Sequence, residues 1–349
     1  MMVHIIDSKK SCQGILSAIG RTPLIQLTQL YPESTCSLFA KLELVNPGGS
    51  IKDRPALAML MRAVEEDNIT HNTTIVESSS GNMAIGLAQV CCYLGLKLMV
   101  VVDPTLNAQT ARILQTYGAH IESVTEPDLN GSYLGARLNR VRILLESIPD
   151  SYWPNQYTNK DNVRSHYQTM HEIVTALDRE PDYLFVATST CGTIMGCAEY
   201  IHQFRLKTKI IAVDAVGSVL FGKPLATRHI PGHGAGVPST ILDTSYVDQV
   251  VHITDQECVL GCRQLLQREA ILAGGSSGAV VVALGKILPH IHSDATCAVI
   301  FCDRGERYLD TIYCDEWVAT NLGTIDEEQI INSCLFQVGN TSFSGVNGL

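Results

Sequence analysis

The 349-residue sequence is short of several things at once. Its twelve cysteines include no Cys-x-x-Cys pair, no apolar run reaches eighteen residues, and no block of five like charges occurs. It has neither a Gly-x-x-x-x-Gly-Lys-Ser/Thr loop nor a Gly-x-Gly-x-x-Gly loop. Each absence closes off a class. Without close Cys/His pairs a zinc site has no ligand set, His290 and His292 read as loop residues, and no metal is expected. Without a long apolar run there is no membrane-spanning helix. The missing loops argue against a nucleoside triphosphate and against dinucleotide binding of the usual kind. A net charge of −10 with no basic cluster argues against nucleic acid as a partner.

What is present suits a globular chain with a well-buried core: 46% of residues are hydrophobic and only 17% charged. The length fits two domains or one large one. Most cysteines lie in apolar runs such as VCCYLGL and TCAVIFC, the setting of reduced, buried thiols in a cytosolic protein. The opening MMVHIIDSKKSCQ lacks the charged-then-apolar layout of a signal, so a soluble, cytoplasmic protein is expected.

Three segments share one rhythm. TTIVE (73–77) reads as a strand, SSSGN as a loop, MAIGLAQVCCYLG as a helix ending at Gly95, and LKLMVVVD (96–103) as a buried strand. The pattern returns as YLFVA (183–187), TSTCGT, the helix IMGCAEYIHQF and the strand KIIAVDAV (209–216). It returns again where AGGSSG (273–278) opens the helix AVVVALGKIL, followed by CAVIFCD (297–303). Strands apolar on both faces, alternating with helices, predict an α/β protein with mostly parallel sheets covered on both sides. PDSYWPNQYTNKDN (149–162) reads as an inter-domain crossing, and IPGHGAGVPSTILD (230–243) as a loop bordering a site. From Thr324 the rhythm is lost, and a loosely attached tail is expected over 324–349.

The chemistry sits in the loops. TSTCGT (188–193) places small and hydroxylic residues ahead of a helix, where backbone N–H groups and the helix dipole hold a phosphate without a lysine. ESSSGN (77–82) forms a cup of donors suited to a carboxylate at the carboxyl end of a strand. GGSSG (274–278) puts Ser276 at a strand–helix turn. Taken singly, each loop is equally a capped helix start or a plain turn. The decapeptide NPGGSIKDRP (46–55) adds one lysine, Lys52, held by turn residues at the mouth of a helix. A lysine paired with Asp53 in a first helical turn is the ordinary alternative. A free amine of pKa near ~10.4 is a poor nucleophile, so a working lysine must be desolvated or covalently engaged. A lysine that condenses with an aldehyde, beside a phosphate cup, points to pyridoxal phosphate.

On these motifs the sequence resembles the fold-type II pyridoxal-phosphate enzymes, the family of cysteine synthase and cystathionine β-synthase. The match is collinear from IGRTPLIQL (19–27) through NPGGSIKDRP, SSSGN, NQYTN, STCGT, GHGAG and GGSSGA to DRGERYLDTIY (303–313). The resemblance implies two domains, each a mostly parallel twisted sheet flanked by helices. A smaller one would span 1–160, with about 15–41 crossing to the larger one at 161–323, ahead of the tail. It implies that Lys52 forms the Schiff base and that Asn82 bonds the cofactor's 3′-oxygen. Ser189, Thr190, Cys191, Gly192 and Thr193 would hold its phosphate, and Ser276 would face the pyridine nitrogen. The substrate cup would be Ser78, Ser79, Ser80, Gly81, Met83, Gln156 and Tyr157, with Ser79, Ser80 and Gln156 on the α-carboxylate.

NPGGSIKDRPA, YWPNQYTN, DAVGSVLFG and DRGERYLDTIYCDEW resemble most the branch that joins O-phospho-L-serine to L-glutamate. That branch serves 2,3-diaminopropionate biosynthesis for siderophores and related peptides. The resemblance places Arg137 on a substrate carboxylate, although Arg137, Arg140 and Arg142 also suit a solvated helix face. It further implies a homodimer working on small-molecule substrates. Met83 stands where cysteine synthases usually have Thr, and Cys191 where they usually have Gly. The alternative function is a cysteine synthase-type addition of sulfide to O-acetylserine or O-phosphoserine.

Overall fold

The computed structural model describes residues 14–129 and 131–324; the tail expected after Thr324 and the opening MMVHIIDSKKSCQ lie outside the described residues. The elements run β1 (Leu24–Gln26), β2 (Ser37–Leu42), α1 (Asp53–Glu65), β3 (Thr74–Ser78), α2 (Asn82–Leu94) and β4 (Lys97–Val102). Then come α3 (Ala108–Thr116), β5 (His120–Ser123), α4 (Tyr133–Ser147), β6 (Ser151–Tyr152), α5 (Lys160–Leu177), β7 (Tyr183–Ala187) and α6 (Gly192–Gln203). The series closes with β8 (Lys209–Ala215), β9 (Gln249–Ile253), α7 (Asp255–Glu269), α8 (Gly275–Ile287), β10 (Thr296–Phe301) and α9 (Asp315–Leu322).

The strands form two sheets. One has four parallel strands in the order β5-β4-β3-β6, and the other six in the order β1-β2-β10-β7-β8-β9, parallel except for β1. Strands β1 and β2, early in the chain, therefore pair within the six-stranded sheet, beside β10. Strand alternation sorts side chains onto two cores. Phe185, Ile211, Val213, Val299 and Phe301 pack on one face of the larger sheet, with helices α7 and α8. Leu184, Val186, Ile210, Ala212 and Ile300 pack on the other, with α5 and α6. The smaller sheet repeats the scheme, with Ile75, Leu98, Val100 and Val102 facing α1 and α2, and Val76 and Val101 facing α4. Double-sided burial is why these strands read as continuous apolar runs.

Two expectations change. Residues Ser151–Tyr152 inside the expected crossing form β6, which pairs with Thr74 and Ile75 of β3. Two residues hemmed in by Asp150 and Pro154 carry no readable alternation. Helix α8 starts at Gly275, so Ser276 lies in its first turn and not before it. Among the described residues no helix is long and apolar enough to cross a membrane, and no group of three His, Cys, Asp or Glu residues is placed to hold a metal ion.

Candidate active site

A cavity of about 610 Å³ is lined by residues that follow strands of both sheets: Ser79 and Ser80 after β3, Asp103 after β4, Ser189 and Thr190 after β7, Cys302 and Asp303 after β10. Ligands of open α/β sheets bind at these carboxyl ends. Every residue selected from the sequence lines this cavity except Ser78 and Gly192. Ser78 is fully buried at the end of β3. At Gly192 a Cβ would lie 2.2 Å from Asn162 Oδ1, so that backbone packs against α5.

Lys52 is the N-cap of α1. The turn before it needs both glycines. Gly49 has φ +83°, and a Cβ there would meet Arg307 Nη2 at 2.8 Å, while one on Gly48 would lie 2.6 Å from Asp53 Oδ1. The Ile51 amide donates to the Cys302 carbonyl at 2.7 Å, which pins the lysine beside the end of β10. Lys52 does not pair with Asp53. That carboxylate accepts the Gly48 amide instead, and burial pushes it up to about 7. Among the described residues Lys52 has no ion pair within 4.0 Å, and burial lowers its pKa against the opposing fields of Cys302, Cys191 and Asp303. An unpaired, desolvated amine is a far better nucleophile and base than a solvated one.

Arg54, two residues on, anchors the helix. It donates to both oxygens of Glu43 at 2.7 Å and to Glu172 at 2.7 and 2.9 Å, and Lys41 Nζ lies 2.6 Å from Glu172. Two cations and two carboxylates close the cluster as neutral, with Lys41 and Glu43 at 1% and 0% exposure.

The three helices that begin at the loops 77–82, 188–193 and 274–278, namely α2, α6 and α8, have no side-chain cap. Helices α3, α4, α5 and α7 are capped by Asn107, Ser132, Asn159 and Thr254. The ordinary capped start that each loop sequence allowed is thus not what they form. Their first N–H groups have no side-chain acceptor and are available to an anion. In the 189–193 loop Thr190 Oγ1 is also buried without a partner. Cys191 adopts φ +68°, a left-handed conformation that glycine takes without strain. Thr193 Oγ1 lies 3.4 Å from His166 Nε2, a buried ring whose pKa is lowered by desolvation and by the Lys52 charge.

On the facing wall Ser80 Oγ donates to Asp103 Oδ1 at 3.2 Å, Arg137 Nη1 reaches Ser80 Oγ at 3.3 Å, and Arg137 Nε lies 3.1 Å from Asp103 Oδ2. Gln156 Nε2 reaches the Ser78 carbonyl at 3.5 Å. Tyr157 lines the same wall, its phenol pushed up to about 12 by burial. Behind them Glu77 accepts from the Ser78 amide at 2.8 Å, Trp153 Nε1 at 3.0 Å and the Gln156 amide at 3.3 Å. Arg137 is 12% exposed and pairs with Asp103 at the cavity, whereas Arg140, 39% exposed, pairs with Glu122 away from it.

Several residues escaped the sequence reading. Asn82 is clamped by Arg307, which donates to its side-chain oxygen, and by Asp303, which accepts from its nitrogen at 2.8 Å. Both lie in DRGERYLDTIY: Asp303 precedes the turn Gly305–Tyr308, and Arg307, four residues on, lies within it. Glu77 and Asp103 sit at strand ends, the one signal that marked them. His233 lines the cavity from the GHGAG loop, and Arg228 from just ahead of it.

Over residues 15–303 the chain matches the family described as Pyridoxal-phosphate dependent enzyme. It is 47% identical over 308 residues, 88% of this chain and 91% of the relative, to the N-(2-amino-2-carboxyethyl)-L-glutamate synthase of Ralstonia nicotianae. Among solved structures it resembles the O-acetylserine dependent cystathionine beta-synthase of Helicobacter pylori, at TM-score 0.80 and 31% identity over 87% of this chain and 99% of that one. It also resembles O-acetyl serine sulfhydrylase isoform 3 of Entamoeba histolytica, at TM-score 0.82 and 28% identity over 94% and 97%. The site accepts the cofactor these names imply: an unpaired lysine, an uncapped helix start with the orphaned Thr190 hydroxyl, and a hydroxyl at Ser276 with 8% exposure. The chain belongs to the pyridoxal-phosphate dependent enzymes, with the fold of the cysteine synthase-like, fold-type II members.

Proposed function

We propose that this enzyme condenses O-phospho-L-serine with L-glutamate, giving N-(2-amino-2-carboxyethyl)-L-glutamate and phosphate on the way to 2,3-diaminopropionate. One observation carries the choice within the family: the Arg137 guanidinium reaches Ser80 in the cavity that holds Lys52, placing a cation at the carboxylate cup. The 47% identical relative, named for this product, supports it. The setting we propose is cytoplasmic, with a homodimer feeding siderophore or peptide synthesis. We also read the four- and six-stranded sheets as the two domains expected from the sequence, with the cavity between them.

Pyridoxal phosphate, when bound, supplies the electron sink for charge developing at Cα. Lys52 would hold it covalently, the 189–193 loop its phosphate, Asn82 its ring oxygen, and Ser276 its ring nitrogen. Ser276 is a hydroxyl, which makes that sink milder than a carboxylate partner would. Lys52 Nζ takes the Cα proton of the donor and returns it to the product. Between these transfers the Cβ–O bond to phosphate breaks and the glutamate amine forms the Cβ–N bond. Ser79, Ser80 and Gln156 hold the donor's α-carboxylate, and Arg137 with Tyr157 takes a carboxylate of glutamate. Met83, 2% exposed, adds no hydroxyl to the cup.

Sulfide addition to O-acetylserine is the second reading, supported by the names of the solved relatives. Both readings use the same cofactor residues, so the acceptor decides. The test offers O-phosphoserine with glutamate and sulfide together and identifies products by mass spectrometry. The glutamate adduct is expected to dominate; S-containing product in excess overturns the proposal. Lys52→Ala is expected to lose both the turnover and the visible absorption of the bound cofactor.

A further inference from the structure

One wall of the cavity has no part in this scheme. After β8 the chain runs from 216 to 243 without helix or strand, and Arg228 and His233 of this stretch line the cavity. His233 is 1% exposed, yet neither ring nitrogen has a partner. Burial, with the Arg228 charge beside it, lowers its pKa to about 3, so at neutral pH it is a neutral ring with one N–H and one acceptor unmet. Arg228 Nη1 donates to the His233 carbonyl at 2.9 Å, and its Nε is buried without a partner. Among the described residues Arg228 has no carboxylate within 4.0 Å, whereas Arg54 and Arg137 are both paired. The wall is held in place, since the Gly234 amide donates to the Thr188 carbonyl at 2.7 Å, next to the 189–193 loop. A guanidinium with no carboxylate in contact, only the more distant fields of Asp214 and Asp255, beside an unsatisfied buried imidazole is an arrangement that an oxyanion completes.

We propose that Arg228 and His233 form a second anion subsite, which takes the anionic group remote from a substrate's α-carboxylate. This rests on the substrates proposed above, since each carries such a group: the phosphate ester of the donor and the side-chain carboxylate of the acceptor. Ser79, Ser80 and Gln156 are assigned to the donor's α-carboxylate and Arg137 to one carboxylate of the acceptor. The donor's phosphate ester and the acceptor's other carboxylate therefore have no cation, and a desolvated anion needs one.

The test uses the holoenzyme with Arg228→Met, Arg228→Lys and His233→Asn, each checked for wild-type visible absorption. KM and kcat are measured for O-phosphoserine and for glutamate, and inorganic phosphate serves as a binding probe. The expected result is a KM raised about tenfold or more for one substrate in Arg228→Met, a smaller rise in His233→Asn, and partial recovery in Arg228→Lys. A rise for O-phosphoserine with weaker phosphate binding assigns the subsite to the donor. A rise for glutamate with phosphate binding unchanged assigns it to the acceptor. Unchanged KM values and phosphate binding, or a loss confined to kcat, overturn the proposal. If the wild-type protein makes no glutamate adduct, the functional reading fails on its own, and the phosphate titration of wild type against Arg228→Met still decides the subsite.

Discussion

Arg307 fixes which way round the Asn82 amide sits. A guanidinium only donates, so the amide oxygen must face Arg307, and the nitrogen then faces Asp303 at 2.8 Å. Asp303 takes one of the two N–H bonds, with its position held by Tyr308 O–H at 2.5 Å, which leaves the other N–H for the cavity. Arg307 also donates to the Gly48 carbonyl, so the same side chain ties the lysine loop to the Asn82 helix. Arg307→Met is expected to weaken cofactor binding about tenfold, the loss of one charge-assisted hydrogen bond of ~1.4 kcal/mol, and to shift the visible absorption maximum. Arg307→Lys should restore part of the affinity. Cofactor titration of the stripped protein reads both, and wild-type affinity in Arg307→Met refutes the orienting role.

Glu77 couples the two halves of the proposed substrate cup, accepting from the Ser78 and Gln156 amides. It is fully buried, and burial pushes its pKa up to about 7 although Trp153 and the Ser78 and Gln156 amides act to lower it. The folded protein therefore holds this proton at pH values where the unfolded chain has released it. Stability is lost as pH rises from the unfolded value near 4.5 through about 7, by up to ~3 kcal/mol. Glu77→Gln removes that dependence. The variant also lacks an acceptor for one of the three N–H groups, so Gln156 loosens and the KM for the donor amino acid rises about tenfold. Thermal unfolding of both proteins at pH 5 and pH 8 measures the first effect. A difference between them that does not move with pH removes Glu77 as its source.

Much of this site was legible because it is built from contiguous loops. NPGGSIKDRP, SSSGN, STCGT and GGSSG each follow a strand or precede a helix, and a strand's carboxyl end or a helix's first turn sets where such residues point. The α/β rhythm was legible for a similar reason: β8 and β10 are buried on both faces, so their apolar runs are uninterrupted. The residues that escaped are held by partners far away in sequence. Arg307 meets Asn82 across 225 positions, and Lys41 meets Glu172 from a distant element, β2 against α5. A lysine inside SLFAKL reads as a strand's solvent-facing residue, and nothing local shows that it is 1% exposed. The strand β6 was missed because its two residues owe their conformation to pairing with β3.

The Arg54–Glu172–Lys41 cluster gives the last test, one of stability. Burial works to raise the Glu172 carboxyl, but Arg54 and Lys41 outweigh it and hold it at about 2. Removing this carboxylate leaves two buried cations facing Glu43 alone, and breaking such a pair costs ~3–5 kcal/mol. Glu172→Ala is thus expected to lower the unfolding free energy by about that amount, with Glu172→Gln retaining part of the loss through hydrogen bonding. The wild-type contribution is fully present above the unfolded carboxyl value near 4.5 and is lost as pH falls toward about 2. Urea unfolding at pH 7 and pH 4 reads both predictions: the gap between wild type and Glu172→Ala should narrow at the lower pH. Arg54 lies in the first turn of the helix that Lys52 caps, so the destabilised variant should also bind the cofactor less tightly, and a variant with wild-type stability at pH 7 refutes the cluster's anchoring role.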